Sequence, residues 1–533
     1  MFLYAGLRSG EPEKTETGPV LADACVFLFL FLVVLFSHYP YWRQPHYWDA
    51  LDAYFPATEG IFKGGLNPLL GGNKNIGHPP LVFWMTAAAW SIFGESLFAS
   101  HLVIYFFGGI LAFSTYLFGK RLVNFLFGIC AGVLVQALPL VYAQTAQCLL
   151  DLPMAALILL AAYCLWREKW KLFLVAASLM VLTKAYAWAY LLPLWFFFPL
   201  SRLLEKRKAV PNLFLILPIL VYPFYLFLVY WKTGTWIAGD LWKSAAPPMA
   251  GTLERILKSQ RAVFNVIFMN SGLELMCLLA FLGIGVHFRR LNREKGDAKN
   301  TFKDLARSPV FPAVLLLLLI SLFGYFIFLP MNYPNYRYYL PIYGPLLILG
   351  LYGGFHVFRE KKREFVILCL CLAMIFVIRW HWSVPDRISR IFSRPVSRVV
   401  YRLLVYDDAR DARPLSYSGE ASLVYTDLLK VTKEAGAYIE KYYSDSPILC
   451  NFPLAGYFVY PVQGIVKKRF QVNGIQDPPI EKITKGTIFV HCSLYARRNP
   501  LMICRKVFNL KLLKRFERNN QWVEIYVIRG NNK

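Results

Sequence analysis

Charge is scarce in this chain: Asp, Glu, Lys and Arg make up 17% of its 533 residues, against 57% apolar residues. With a mean hydropathy of +0.43, such a composition cannot be packed into the core of a soluble domain of ordinary size, so the chain is polytopic. Acid is scarcer still, with 32 Asp and Glu against 58 Lys and Arg. No CxxC and no Cys/His constellation occurs, and the ten cysteines show no paired spacing. Most lie in apolar runs, where a cysteine acts as a small apolar residue. Cys450, Cys492 and Cys504 lie beyond those runs, an odd number that does not support a simple disulfide framework. No internal repeat is visible, and the first apolar run shows no small-x-small cleavage site, so it reads as a retained span.

What is abundant is apolar sequence in long runs. Stretches near the length of a span lie at residues 20–36, 98–119, 122–142, 148–166, 172–182, 188–200, 213–230, 263–286, 310–329, 338–357 and 365–379. Basic clusters fall in every second loop: Lys120-Arg121, Arg167/Lys169/Lys171, Arg202/Lys206/Arg207/Lys208, residues 289–307, and Arg359/Lys361/Lys362/Arg363. Loops left inside hold Lys and Arg. The loops at 37–97, 143–147, 231–262 and 330–337 are then outside, as is everything after residue 379. Parity settles two ambiguous segments. Residues 79–93, counted as a span, would put Lys120-Arg121 outside, so they read as a helix lying at the outer interface. Residues 172–200 are interrupted by Thr183-Lys184-Ala185-Tyr186 and read as two short helices with Lys184 at an outward break. The fold class expected is an α-helical polytopic membrane protein of about eleven spans, with interfacial helices in the first outer loop and a small α/β domain on the outer side.

The net charge of +26 needs no nucleic acid to explain it, because most of the excess sits in inner loops beside anionic headgroups. Membrane lipids are the expected surroundings. From residue 381 to 533 hydropathy falls and the pattern becomes mixed. Residues 427–443 read as an amphipathic helix, 447–450 and 487–491 as short strands, 511–517 as a turn of helix and 521–528 as a closing strand. Residues 386–418, rich in Arg, Pro and Ser, read as a linker. The expected domains are thus 1–380 in the membrane and 381–533 outside it. Lys467-Lys468-Arg469 and Arg497-Arg498 read as a solvated basic face.

The first outer loop carries the most pointed chemistry. Trp48-Asp49-Ala50-Leu51-Asp52-Ala53-Tyr54 is followed by Gly77-His78-Pro79-Pro80-Leu81. If residues 48–60 form a short helix, Asp49 and Asp52 share a face, with Tyr54 and Phe55 free to anchor it at the interface. A carboxylate there can take a proton from an incoming hydroxyl or amine at a carbon bearing a phosphate leaving group. The plainer alternative is that Asp49 caps the helix and Asp52 is solvated. His78, held by stiff Pro-Pro backbone, suits a phosphate or a metal, or is satisfied by water or a carbonyl. Asp151, just inside the outer end of an apolar run, and Lys184, the only charge in a hydrophobic hairpin, are costly without a partner or a function. Glu274 and His101 also lie near outer span ends, where snorkelling explains them. In Asn335-Tyr336-Arg337-Tyr338-Tyr339-Leu340-Pro341, Arg337 combines a guanidinium fork with the start of a helix, which favours a phosphate. Its alternative role is to anchor to headgroups.

Asp49, His78-Pro79-Pro80-Leu81, Asp151 ahead of Pro153, Lys184 in an outward break and Arg337-Tyr338 before Pro341 occur in an order that resembles the protein O-mannosyltransferase and aminoarabinose transferase group of type C membrane glycosyltransferases. The resemblance covers roughly the first 380 residues. It implies an inverting enzyme that moves a sugar from a polyprenyl-phosphate donor to a glycan, lipid or protein acceptor on the outer face. It makes Asp49 the catalytic residue, gives Lys184 and Arg337, with Tyr338 beside it, the lipid phosphate, and lets His78 and Asp151 line the sugar or acceptor site. Many members have Asp-Glu in the first loop; here Ala50 follows Asp49, which leaves open whether Asp52 supplies a second carboxylate. A bacterial inner-membrane protein with its site facing the periplasm or the outside is the expected setting. No cofactor is assigned, and a divalent metal stays open. The class kept beside this one is a lipid-linked glycan flippase or secondary transporter, which calls for mid-membrane charges and inverted repeats. A purely structural assembly protein leaves Asp151 and Lys184 without a reason.

Overall fold

The computed structural model describes residues 17–70, 78–204, 213–234, 273–295, 308, 310–327, 336–358, 361–379, 423, 425–450, 453–474, 483–493, 500–519 and 521–531. The linker expected over 386–418, the boundary near residue 380, Gly77, Asn335 and Arg497-Arg498 lie outside the described residues. The molecule is mostly helical, with a small sheet towards its C-terminal end.

The helical part is built from α1 (Thr17–Ser37), α2 (Phe55–Lys63), α3 (Leu81–Phe93), α4 (Leu97–Leu122), α5 (Phe125–Ala137), α6 (Pro139–Thr145), α7 (Asp151–Trp166), α8 (Trp170–Val181), α9 (Leu191–Leu204) and α10 (Leu213–Thr233), followed by Leu273–Lys295, Phe311–Phe326, Tyr343–Val357 and Lys362–Arg379. Helix α4 is apolar all round and buried along most of its length, as a helix surrounded by others must be. Ser96 starts it by accepting from the Ala99 N–H, and Asn124 starts α5 by accepting from the Phe127 N–H at 2.9 Å. Gly128 lets α5 close on α4, since a Cβ there would sit 2.7 Å from the Tyr116 carbonyl oxygen. Asp23 ties α1 to α4 through Lys120 and the Tyr116 hydroxyl, each at 2.6 Å. Leu273–Lys295 and Tyr343–Val357 cross where Gly283 meets Gly353, and a Cβ on either would collide with backbone. Small residues at such crossings let helices approach closely in lipid.

The run expected as one span over 122–142 is instead broken into α5 and α6, bent by 69°. Pro139 is the cause: the residue before a proline is pushed out of the α region, and Leu138 is extended at φ −57°, ψ 129°. The break expected inside 172–200 is present, with α8 ending at Val181, a 3-10 turn at Ala187–Tyr190 and α9 following. Among the described residues three helices are long and apolar enough to cross a membrane alone, or four if the bent pair counts as one span, and shorter apolar helices include Asp151–Trp166, Trp170–Val181 and Phe311–Phe326.

The C-terminal unit is a five-stranded sheet in the order β2-β1-β3-β5-β4, with β1 Ile448–Cys450, β2 Val472–Gly474, β3 Ile488–Cys492, β4 Phe508–Arg518 and β5 Gln521–Asn531. Strands β2, β1 and β3 run parallel, and β5 and β4 close the sheet antiparallel. The amphipathic helix Tyr425–Tyr442 packs its apolar face on β5 and β4. The turn of helix expected over 511–517 is strand β4. Its Lys-Leu-Leu-Lys pattern fits a helix, but pairing with β5 along eleven residues, closed by Asn519 at φ +46°, overrides that preference. Among the described residues none of the ten cysteines forms a disulfide.

Candidate functional site

The short helix expected over residues 48–60 is regular only from Phe55, where α2 begins. Trp48 takes a left-handed backbone, φ +56°, and residues Ala50–Tyr54 form a π turn that runs into α2. Bonding from i to i+5 widens the turn, so residues three apart no longer stack. Asp49 and Asp52 therefore part. Asp49 meets Arg337, whereas Asp52 lies within electrostatic reach of Cys450 and Tyr460 of the C-terminal unit. Asp49 stands at the N-terminal position of the turn, but its side chain makes no capping bond. Tyr54 and Phe55 are buried rather than free to anchor at an interface: Tyr54 packs on His78 and Phe83, and Phe55 on Trp90 and Tyr460.

Three further segments converge on Asp49. Helix α7 opens with Asp151, which is wholly buried. The break after α8 supplies Lys184, also buried, and the Leu81 N–H donates to the Leu182 carbonyl at 3.1 Å, tying the first loop to this break. The 3-10 stretch Tyr336–Ile342, leading into Tyr343–Val357, supplies Arg337. Lys184 Nζ donates to Asp151 Oδ1 at 2.6 Å, and the Tyr186 hydroxyl donates to the same oxygen at 2.7 Å. Arg337 Nε lies 3.4 Å from Asp151 Oδ2, while its Nη2 is ion-paired with Asp49 Oδ2. Tyr338 completes the group, its ring 4.7 Å from Lys184 Nζ and 5.6 Å from the Arg337 guanidinium carbon.

The result is a cluster of two acids and two bases graded in depth. Lys184, Asp151 and Arg337 are the buried floor, and Asp49 is the open edge, with its side chain 31% exposed. A buried charge is tolerated only when paired and hydrogen-bonded; Lys184 and Asp151 Oδ1 meet that condition, while Asp151 Oδ2 makes no hydrogen bond among the described residues and faces Arg337 Nε at 3.4 Å. His78 lies beside it, its ring 5.8 Å from that of Tyr54. Burial, then the charge of Lys184, pushes its imidazole down to about 3, so it is neutral over the physiological range. Its Nδ1 is buried without a hydrogen-bond partner among the described residues. His101, for which snorkelling was the expectation, is instead fully buried and bonds the Gln44 carbonyl at 3.0 Å.

Asp49, His78, Asp151, Lys184, Arg337 and Tyr338 are thus brought together, and Asp52 is not. Tyr186 was missed by sequence reasoning, although an aromatic hydroxyl two residues after a lone buried lysine was the available signal. Among the described residues no group of three or more His, Cys, Asp or Glu side chains could hold a metal ion. Asp49 is engaged by Arg337, and Asp151 by Lys184 and Arg337.

No protein-family model and no curated protein matches the chain. Among solved structures it is similar to ArnT from Cupriavidus metallidurans bound to undecaprenyl phosphate, at 16% identity and a TM-score of 0.50, over 96% of this chain and 98% of that one. It is similar to the apo state of the same protein at 14% identity and a TM-score of 0.51, with the same coverage. The Archaeoglobus fulgidus oligosaccharyltransferase in complex with Zn and sulfate is a weaker likeness, at 10% identity and a TM-score of 0.42 over 92% of this chain and 72% of that one, too remote to carry an argument. At these identities the likeness to ArnT is one of fold alone.

Proposed function

We propose that the protein is an inverting glycosyltransferase that takes a sugar from a polyprenyl-phosphate donor and passes it to a lipid, glycan or protein acceptor on the extracytoplasmic face of a membrane. The observation that carries this reading is the pairing of a partly exposed acid, Asp49, with a guanidinium anchored on a buried Asp151–Lys184 floor. The likeness to a protein whose structure holds undecaprenyl phosphate supports the lipid carrier.

In this reading Asp49 takes the proton of the acceptor hydroxyl or amine as the new bond forms at the anomeric carbon. The bond from that carbon to the phosphate oxygen breaks, and its electron pair leaves on the carrier phosphate. Arg337 and Lys184 hold that phosphate and offset the charge it gains, which is where electrostatic catalysis acts. Attack opposite the leaving group inverts the centre. Asp151 orients both cations, Tyr186 and Tyr338 wall the phosphate side, and His78 acts as a neutral hydrogen-bonding group at the sugar. Asp52 belongs to the acceptor side, towards the C-terminal unit. About eleven spans, the inner N-terminus and the outer site follow from the alternation of basic loops, with residues 1–380 as the membrane domain and 381–533 as the outer one.

The test is to incubate the purified full chain with a panel of labelled polyprenyl-phosphate sugars and look for released carrier phosphate and labelled acceptor. Release with an inverted product supports the reading. Movement of intact lipid-linked sugar across vesicles without release would replace it with a flippase.

A further inference from the structure

The segment that carries Asp49 is held from above by the C-terminal unit. Both backbone groups of His46 are clamped: its N–H donates to Gln463 Oε1 at 2.8 Å, and its carbonyl accepts from the Tyr457 hydroxyl at 2.8 Å. Gln463 Nε2 also lies 3.3 Å from His46 Nδ1. Gln463 and Tyr457 are both wholly buried. On either side of that clamp, Gln44 Nε2 donates to the Tyr425 hydroxyl at 2.6 Å, and the rings of Tyr47 and Tyr425 lie 4.9 Å apart. Leu51 sits against Gly456, where a Cβ would lie 2.6 Å from Leu51 Cγ. Tyr47 and Leu51 accordingly belong to the same hydrophobic core as β1, β3 and the helix Tyr425–Tyr442.

Between these contacts lies the backbone that most needs them. Trp48 is left-handed at φ +56°, unfavourable for a bulky residue, and it is followed at once by Asp49 and the π turn. Such backbone persists where the surroundings over-determine it. The loop's own sequence contains no glycine at this point to relieve it.

We propose that Gln463 and Tyr457 are positioning residues for transfer: by fixing both peptide groups of His46 they set the left-handed turn at Trp48 and so aim the Asp49 carboxylate at the edge of the Arg337 floor. The C-terminal unit is then part of the reaction machinery and not only a cap over it. This rests on the reading of Asp49 as the proton acceptor. Lys184, Asp151 and Arg337 sit on segments of the helical part, so the phosphate site forms without this clamp and only the alignment of the acid depends on it.

The experiment uses the full chain as Tyr457→Phe, which removes one hydroxyl, and as Gln463→Leu. The expected result is a fall in kcat of about tenfold to a hundredfold, the scale of a small misplacement of a reacting group. Affinity for a non-transferable polyprenyl-phosphate analogue stays at the parent value, and amide hydrogen exchange over residues 44–52 becomes faster. Unchanged exchange in both variants would overturn the clamp, and faster exchange with parent kcat would overturn its catalytic role. A joint loss of kcat, analogue binding and melting temperature would overturn it too, since that is general unfolding. Asp49→Asn measured alongside keeps the two readings apart: full activity in that variant sinks the role of Asp49, whereas the exchange result still judges the clamp.

Discussion

Arg337→Lys changes shape and keeps charge, which makes it the most discriminating single substitution at the site. Arg337 bonds Asp49 through Nη2 and approaches Asp151 through Nε at 3.4 Å, and its side chain is 3% exposed. A lysine has one ammonium at the end of its stem and cannot serve both carboxylates while presenting a fork to a phosphate. What is lost on binding is about one charge-assisted hydrogen bond, roughly 1.5–3 kcal/mol. At about 1.4 kcal/mol per factor of ten, this predicts binding of a non-transferable polyprenyl-phosphate analogue weakened by about tenfold to a hundredfold. The assay is direct titration of that analogue in nanodiscs, with the melting temperature followed in parallel because the charge count is unchanged. If Arg337→Lys binds as tightly as the parent at equal stability, Arg337 does not hold the phosphate and the ion-paired cluster is a packing device.

Lys184→Met removes the closer of the two cations on Asp151, and losing one partner of a buried pair costs about 3–5 kcal/mol. Arg337 at 3.4 Å compensates in part, so the lower end of that range is expected as a fall in thermal stability in detergent, and an unchanged melting temperature contradicts the pairing. A cysteine placed at Asn473 should react with a membrane-impermeant thiol reagent in intact cells, as should ones near Gly72 and Gly239, positions outside the described residues, while one near Gly296, also outside them, should not. Labelling at Gly296 alone would reverse the topology. His46 is pushed down to about 3 by burial, so the folded form resists a proton that the unfolded form takes near 6.5. Docking of the C-terminal unit is therefore fully stable above about pH 6.5 and weakens as pH falls towards 3. Protease resistance of the junction against pH reads this out, and His46→Gln should flatten that part of the profile.

The mostly helical architecture was legible because long apolar runs mark helices, and the lone Lys184 marked the break between α8 and α9. Asp151, Lys184 and Arg337 stood out for the same reason, since a buried charge in an apolar run needs a cause. What stayed hidden depends on contacts distant in sequence. The split between Asp49 and Asp52 follows from a π turn behind a left-handed Trp48, and neither feature has a local signature. The clamp of Gln463 and Tyr457 on His46 spans more than 400 residues of sequence, 417 and 411 respectively. Strand β4 was misread because helical and strand patterns overlap in a short basic and apolar segment, and only pairing with β5 decides between them.

The measurement closest to the central claim is single-turnover transfer by Asp49→Asn. The substitution keeps the size of the side chain, removes its charge and basicity, and leaves the Asp151–Lys184 pair untouched. The account predicts a rate lower by about a hundredfold or more, unimpaired membrane insertion, donor-analogue binding no weaker than the parent's, and a milder loss for Asp52→Asn. Near-parent turnover by Asp49→Asn would contradict the account, because no other acid in the described cluster stands at the open edge with Arg337 beside it.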